Sequence, residues 1–434
     1  MKKKLTLGED IRRSLSYCLE AFMLIGIGQL VGAILNYVLL DILVSIIKPE
    51  LIGNPCLETF KQYFDFVGIW IVFITYFSTR KMEKGIIDVL STKLRGNNIL
   101  CFACGLLLGF VMNFTCGLLA MKNGDFTIGF VGFKPLQTLL IFIVVMIQSG
   151  AEELLCRGLL YKKLTRRFGE GIKPIIISSL LFAFLHIFNS GLTLVAFINL
   201  ILAGTIPAMI MYYFDSIWMC IAEHTAWNFT QNILLGLPNS GIRVPFSIFA
   251  LNSNVVKDSF FYNVGFGIEG SVMATIVHLV VIALMFFVMN KRRKPEYDVW
   301  QGITEAEVDR IEQEKTDRKT LKQIKKYTEK DYKKKLKKDP GYTYRKLLDY
   351  EVLKEEKAKK RLYPSIVITI VMTFVIFKFI LKGIDPRQMW ATLTGEIIAF
   401  LFVIPMSKEL TNKRVELLKE YLGEKINEQE NPTE

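Results

Sequence analysis

The stretch Leu136–Tyr161 reads LQTLLIFIVVMIQSGAEELLCRGLLY, and within it Gln148, Glu152, Glu153 and Arg157 interrupt an otherwise apolar run. A run of this length and composition crosses a bilayer as a helix. An ionisable group inside such a helix costs about 2.5–3.5 kcal/mol on insertion scales, so it faces a bundle interior and marks a functional site by default. Two further segments repeat the pattern: His186 in LLFAFLHIF (180–188), and His224 with Asn228 in CIAEHTAWNFTQN (220–232). Only three histidines occur in 434 residues, and two of them lie in these apolar segments.

Working outward, the composition fits the same picture. Apolar residues make up 51% of the chain and charged residues 22%, a mixture expected of a membrane protein with a charged soluble part. Membrane helices are expected near 16–46, 64–78, 98–121, 135–161, 174–188, 191–213, 216–236, 271–290, 363–381 and 388–406. The amino end MKKKLTLGEDIRRS precedes an apolar run far longer than the core of a signal peptide, with no small-residue cleavage site, and reads as the start of a first membrane helix. The expected fold class is therefore all-α: a polytopic transmembrane bundle of about eight core helices plus two C-terminal ones, with a helical cytoplasmic insert. The expected organisation is a transmembrane bundle over 1–290 carrying its motifs within 148–232, a basic insert over 291–362, two additional membrane helices over 363–407 and a cytoplasmic tail over 408–434.

Lysine and arginine gather in alternate connections, which places both termini in the cytoplasm and, by expectation, the protein in the plasma membrane. The insert holds 24 Lys/Arg against 15 Asp/Glu, a surplus of nine out of a net charge of +13. A basic stretch beside a membrane helix fits anionic lipid headgroups better than nucleic acid, which is not an expected partner. The seven cysteines fall mostly within the expected spans. The pair Cys101 and Cys104 opens an apolar helix with no second pair elsewhere, so neither redox nor metal chemistry is expected there.

The chemistry is carried by three spacings. Glu152 and Glu153 are neighbours, about 100° apart around a helix, so they cannot do the same job. Glu153 and Arg157 are four apart and share a face as an ion pair. Glu152 shares its face with Gln148 and Cys156, lacks a local counter-charge, and is the expected general base. Phe182 and His186, and then His224 and Asn228, are again four apart on two further helices. An imidazole opposite Glu152 could hold the attacking water, and an Asn with a second His could donate to an oxyanion. A Glu with two His could also hold zinc, although the H-E-x-x-H spacing of ordinary zinc proteases is absent. The cofactor thus stays open between zinc and water activated without metal. Each of these residues alone fits a structural role, such as an interhelical hydrogen bond; three such sets in nearby spans point to a site.

The ordered triple Glu152-Glu153-Leu-Leu-Cys-Arg157, Phe182-Ala-Phe-Leu-His186 and His224-Thr-Ala-Trp-Asn228 resembles the motif series of the CAAX-type prenyl-protease family, the CPBP or ABI intramembrane proteases. Ser216-Ile217-Trp218 and the stretch around Gly265, Gly267, Glu269, Gly270 and Ser271 are similar to that family too, and the resemblance covers roughly 100–290. It implies a helical membrane fold with a cavity open to the cytoplasmic half of the bilayer, and peptide-bond hydrolysis by a Glu-activated water. By motif position it implies that Glu152 and His186 hold the water while His224 and Asn228 stabilise the oxyanion. The expected activity is a membrane endopeptidase acting on a membrane-embedded or lipid-anchored peptide or protein, with a general peptide preferred over a prenylated one. The alternatives are a non-catalytic scaffold or bacteriocin-immunity-type protein that works by partner binding, and an ion-coupled transporter, which the missing internal repeats disfavour. Residues 291–434 carry no readable motif, and the substrate and oligomeric state are not legible.

Overall fold

A computed structural model describes residues 7–80, 82–288, 297–375, 407 and 411–431. The chain divides into two compact units, Met1–Thr304 and Glu305–Glu434. In the first, α1 (Leu7–Asn36) runs through a π-helical turn (Tyr37–Ile42) into α2 (Leu43–Ile47). After α3 (Pro55–Phe64), α4 (Val67–Ser78) and α5 (Ile99–Lys122) comes α6 (Pro135–Glu153), which continues through π-helical Leu154–Tyr161 into α7 (Lys162–Phe168). Next come α8 (Ile172–Leu185), α9 (Leu194–Phe214), α10 (Ile217–Asn228) with a π-helical extension (Phe229–Leu234), and α11 (Val272–Val288). Among the described residues, four continuous helices are long and apolar enough to cross a membrane: Arg13–Ile47, Ile99–Lys122, Pro135–Phe168 and Leu194–Phe214. The protein is an all-α membrane bundle.

Lipid is as apolar as leucine, so helices in a bilayer associate by close packing and hydrogen bonds. The α5–α10 contact shows how. A Cβ added at Gly109 would lie 2.0 Å from the carbonyl oxygen of Glu223, and one at Gly105 2.5 Å from that of Met219. The G-x-x-x-G spacing on α5 thus lets the backbone of α10 lie against it. The start of α10 is set by Ser216, whose Oγ caps the Met219 N–H and donates to the Gly96 carbonyl. Asn97 Oδ1 accepts from the Trp218 N–H in addition. Helix α10 therefore has a fixed register, and with it His224 and Asn228.

Two features depart from the sequence expectation. The connection over 48–63, between the membrane helices expected near 16–46 and 64–78, contains α3, because Asn54 caps the Cys56 and Leu57 N–H groups and Pro55 occupies the first helical position. The connections over 122–134 and 237–270 pair through a short antiparallel ribbon of β1 (Ile128–Phe130) and β2 (Phe249–Leu251), with Gly129 opposite Ala250. The boundary between the units falls after Thr304, and Val299 and Trp300 are buried within the first.

The second unit contains α12 (Glu305–Leu336) and α13 (Tyr344–Val375), broken apart at Asp339-Pro340-Gly341, and a helix over 411–430. The tail buries Leu417, Leu418 and Leu422 against Ile324 and Leu347. Tyr332 stacks on Tyr344 at 3.8 Å between centroids. The expected membrane helix over 388–406 lies outside the described residues, as does the end of the one expected over 363–381.

Candidate active site

The helix that decided the fold also carries the first half of the site. On α6, Gln148 donates from Nε2 to Glu152 Oε1 at 2.7 Å, one turn along the helix. Glu152 Oε2 is buried and has no hydrogen-bond partner. His224 Nε2 lies 3.7 Å from it, too far for a direct hydrogen bond. Glu153, 0% exposed, points elsewhere: its Oε1 accepts from Arg157 Nη1 at 3.0 Å and lies 3.0 Å from His224 Nδ1. The two neighbouring carboxylates thus have different partners, as their angular separation requires.

Arg157 is 0% exposed within the π-helical stretch that begins at Leu154. Single π turns inside α-helices recur at functional sites. The guanidinium donates from Nη2 to the Gly204 carbonyl at 2.5 Å and lies over the Phe182 ring at 5.0 Å. Gly204 is the residue that makes room, since a Cβ there would stand 3.2 Å from Arg157 Nη2 and 3.1 Å from Ser179 Cα.

Phe182 gathers the two imidazoles. Its ring is 4.8 Å from that of His186 and 5.6 Å from that of His224. His186 Nδ1 donates to the Phe182 carbonyl at 2.8 Å, which fixes its tautomer and leaves Nε2 as acceptor. The Glu153 carboxylate does the same for His224: Nδ1–H donates, and Nε2 is left facing Glu152. Asn228 is tied to α6, with Nδ2 donating to Gln148 Oε1 at 3.0 Å and standing 3.3 Å from Ser149 Oγ.

The structure therefore brings together two hydrogen-bonded sets, Glu152 with Asn228 through Gln148 and Glu153 with Arg157 and His224, which approach each other at the 3.7 Å gap between Glu152 and His224, with His186 joined through the Phe182 ring. Gln148, Ser149 and Gly204 belong to the same sets. Gln148 was readable as a polar interruption, whereas Gly204 and Ser149 look like ordinary small residues of membrane helices. Glu223, also buried, adjoins the site on α10.

An apolar cavity of about 640 Å³ lies alongside, lined by Trp70, Leu90, Phe102, Ile147, Trp218 and Ile221 among others. None of the cluster's polar groups lines it. Trp70 connects the two: its indole donates to the Ile147 carbonyl at 2.9 Å, and its ring packs against Gly150, two residues before Glu152.

Among the described residues, no set of three or more His, Cys, Asp or Glu side chains converges as a metal cage. The Glu153 contact at His224 Nδ1 leaves Nε2 as the ring nitrogen that faces Glu152.

A second ionic cluster sits where α7 meets the 79–98 connection. Lys163 pairs with Glu20 at 2.5 Å and Glu83 at 2.7 Å, Lys162 with Asp215 at 2.6 Å, and Arg167 with Asp10 at 2.9 Å. Burial alone would push the Glu83 carboxyl up, but Lys163, Arg166 and Arg80 outweigh it and hold it below its ordinary value. The same cluster holds the segment following the bundle. The Trp300 ring lies 4.0 Å over the Arg166 guanidinium, and the Tyr297 hydroxyl donates to Asp88 at 2.5 Å.

The fold and the cluster define a polytopic membrane protein with a buried carboxylate–imidazole centre. Residues 134–230 match the family described as type II CAAX prenyl endopeptidase Rce1-like, a span that contains all three motifs. The match supports an intramembrane endopeptidase, from a family that acts on membrane-associated or prenylated substrates. No curated protein and no solved structure matches the chain.

Proposed function

We propose that the bundle hydrolyses a peptide bond in a membrane-embedded or lipid-tethered protein segment, with Glu152 as general base. The observation that supports this reading is the pair formed by the unpartnered Glu152 Oε2 and the His224 Nε2 lone pair, 3.7 Å apart and buried. A water hydrogen-bonded to both, at about 2.8 Å from each, sits between a base and an acceptor. Gln148 holds the other carboxylate oxygen, so only Oε2 is available to take a proton.

In the reaction, the water oxygen attacks the scissile carbonyl carbon as its proton moves to Glu152. The carbonyl π electrons move onto oxygen, giving a tetrahedral oxyanion. The protonated Glu152 then returns its proton to the amide nitrogen as the C–N bond breaks, releasing an amine and a carboxylic acid. Glu153 and Arg157 act by orienting His224, and His186 lends its Nε2 to the substrate side. The resemblance gives Asn228 an oxyanion role; its engagement with Gln148 and Ser149 favours instead the orientation of Gln148 and, through it, Glu152. The apolar cavity beside Gly150 suits an apolar or lipid-bearing substrate. Both termini are proposed to be cytoplasmic in a plasma membrane, with the basic residues of 291–362 facing anionic headgroups.

The test incubates wild-type and Glu152→Gln proteins with a library of membrane peptides in ¹⁸O water and reads the products by mass spectrometry. Cleavage by the wild type alone, with ¹⁸O in the new carboxyl terminus, is expected, and chelator sensitivity then decides between zinc and water activated without metal. The same product profile from both proteins would refute Glu152 as base and favour a partner-binding scaffold.

A further inference from the structure

The site's hydrogen bonds continue past Asn228 into the 237–270 connection. Asn239 Nδ2 donates to Asn228 Oδ1 at 2.9 Å, Asn228 Nδ2 to Gln148 Oε1 at 3.0 Å, and Gln148 Nε2 to Glu152 Oε1 at 2.7 Å. Three side-chain amides are thus aligned head to tail, every donor pointing toward the Glu152 carboxylate. All three are at most 9% exposed. In such surroundings a chain of aligned amides polarises cooperatively, and a reversed member leaves two like atoms facing each other.

The turn that carries Asn239 is itself held. Ser240 has φ +46, a left-handed conformation that a non-glycine residue adopts only where its surroundings impose it. Its N–H and Oγ both donate to Glu269 Oε2, at 2.7 and 2.6 Å, while Asn189 Nδ2 donates to its carbonyl. Glu269 Oε1 accepts in turn from Trp227 Nε1, the residue next to Asn228. Asn239 and Glu269 lie beyond the residues matched to the family.

We propose that Asn239 is a positioning residue for the Glu152 centre: its donated hydrogen bond sets the direction of the Asn228–Gln148 amide chain, and the Glu269–Ser240 contacts hold Asn239 in place to do so. The proposal deepens the reading of Glu152 as base and rests on it only for its effect on catalysis. The direction of the chain can be tested without any substrate.

Asn239→Asp replaces a donor by an acceptor of nearly the same shape. Asn228 then turns its amide to donate outward, Gln148 turns with it, and Gln148 Oε1 meets the Glu152 carboxylate. The experiment is a double-mutant cycle of melting temperatures on the full-length protein in detergent. Asn239→Asp is expected to lower the melting temperature by about 4 °C or more. The loss should shrink by at least half when combined with Glu152→Gln, because an amide at that end accepts either direction. It should shrink as well with Gln148→Leu, which severs the chain.

A loss unchanged by Glu152→Gln would overturn the proposal. A loss that Gln148→Leu leaves at full size would also do so, because it would mark direct repulsion between two carboxylates. On a peptide that the wild type cleaves, Asn239→Asp should lower kcat by about tenfold with KM little changed, and acidification should restore part of it as the new carboxyl gains a proton to donate. A wild type that cleaves nothing would sink the protease reading, while the melting cycle would still decide the amide chain.

Discussion

The bundle contains two buried ionic clusters, and they are built on opposite terms. Where α7 meets the 79–98 connection, every carboxylate has a full cation within reach: Glu20 and Glu83 share Lys163, Asp215 has Lys162, and Asp10 has Arg167. Inside the membrane, two adjacent glutamates share one arginine and one histidine, and the arginine goes to Glu153 alone. A buried charge is tolerated only when it is paired and hydrogen-bonded. The first cluster gives each carboxylate a full cation and serves the architecture. The second gives Glu153 its cation and leaves Glu152 with an amide and an imidazole alone, which is where chemistry is expected.

The comparison breaks most sharply at the paired member. Arg157→Ala would leave Glu153 buried without its cation and Gly204 without its donor, a loss of about 3–5 kcal/mol. Expression and melting temperature should fall together with cleavage. Normal melting and full activity would show that Glu153 and Arg157 are not the scaffold of the site.

Lys163→Ala attacks the balanced cluster. Arg80 and Arg166 remain near Glu83, so the loss should be smaller, about 2 kcal/mol. Per folded molecule, cleavage should be unchanged, and a fall in kcat would mean that the two clusters are coupled. Gly204→Ala should cost about 1–2 kcal/mol by crowding Arg157 and Ser179, with a lower kcat as the Glu153–His224 pair shifts. A wild-type rate would show that the Arg157 carbonyl contact is dispensable.

The smallest effect is one of pH. Glu83 is held below its ordinary value by its cations, so it binds fewer protons folded than unfolded. Asp88 is likewise lowered: burial pushes it up, but bonds from Lys93 and Tyr297 outweigh that. Their contribution is complete above the ordinary carboxylate value of about 4.3 and is lost as pH falls through their lowered values. Melting temperature should therefore drop on acidification below about pH 4, and less steeply in Lys163→Ala. An equal slope in both proteins would remove Glu83 from the account.

Much of this was legible in the sequence, because a polar residue in a membrane helix is conspicuous. Gln148, Glu152, Glu153, Arg157, His224 and Asn228 all announced themselves as interruptions, and i,i+4 spacing paired Glu153 with Arg157. Spacing along one helix cannot reveal partners across helices. The bond from Glu153 to His224 depends on how α6 and α10 pack, which Gly105 and Gly109 control from a third helix. Gly204 is silent because its contribution is an absent side chain. Asn239 sits in a polar connection, where an asparagine attracts no notice. In the second unit, the charged tail hid the leucines at 417, 418 and 422 that pack it.

The most direct test compares two isosteric changes at adjacent positions, Glu152→Gln and Glu153→Gln, by measuring melting temperature and cleavage rate on the same preparations. The account predicts that both lose cleavage, by about a thousandfold or more at Glu152, and that only Glu153→Gln loses substantial stability. Cleavage retained by Glu152→Gln, or a melting temperature lowered more at Glu152 than at Glu153, would contradict it.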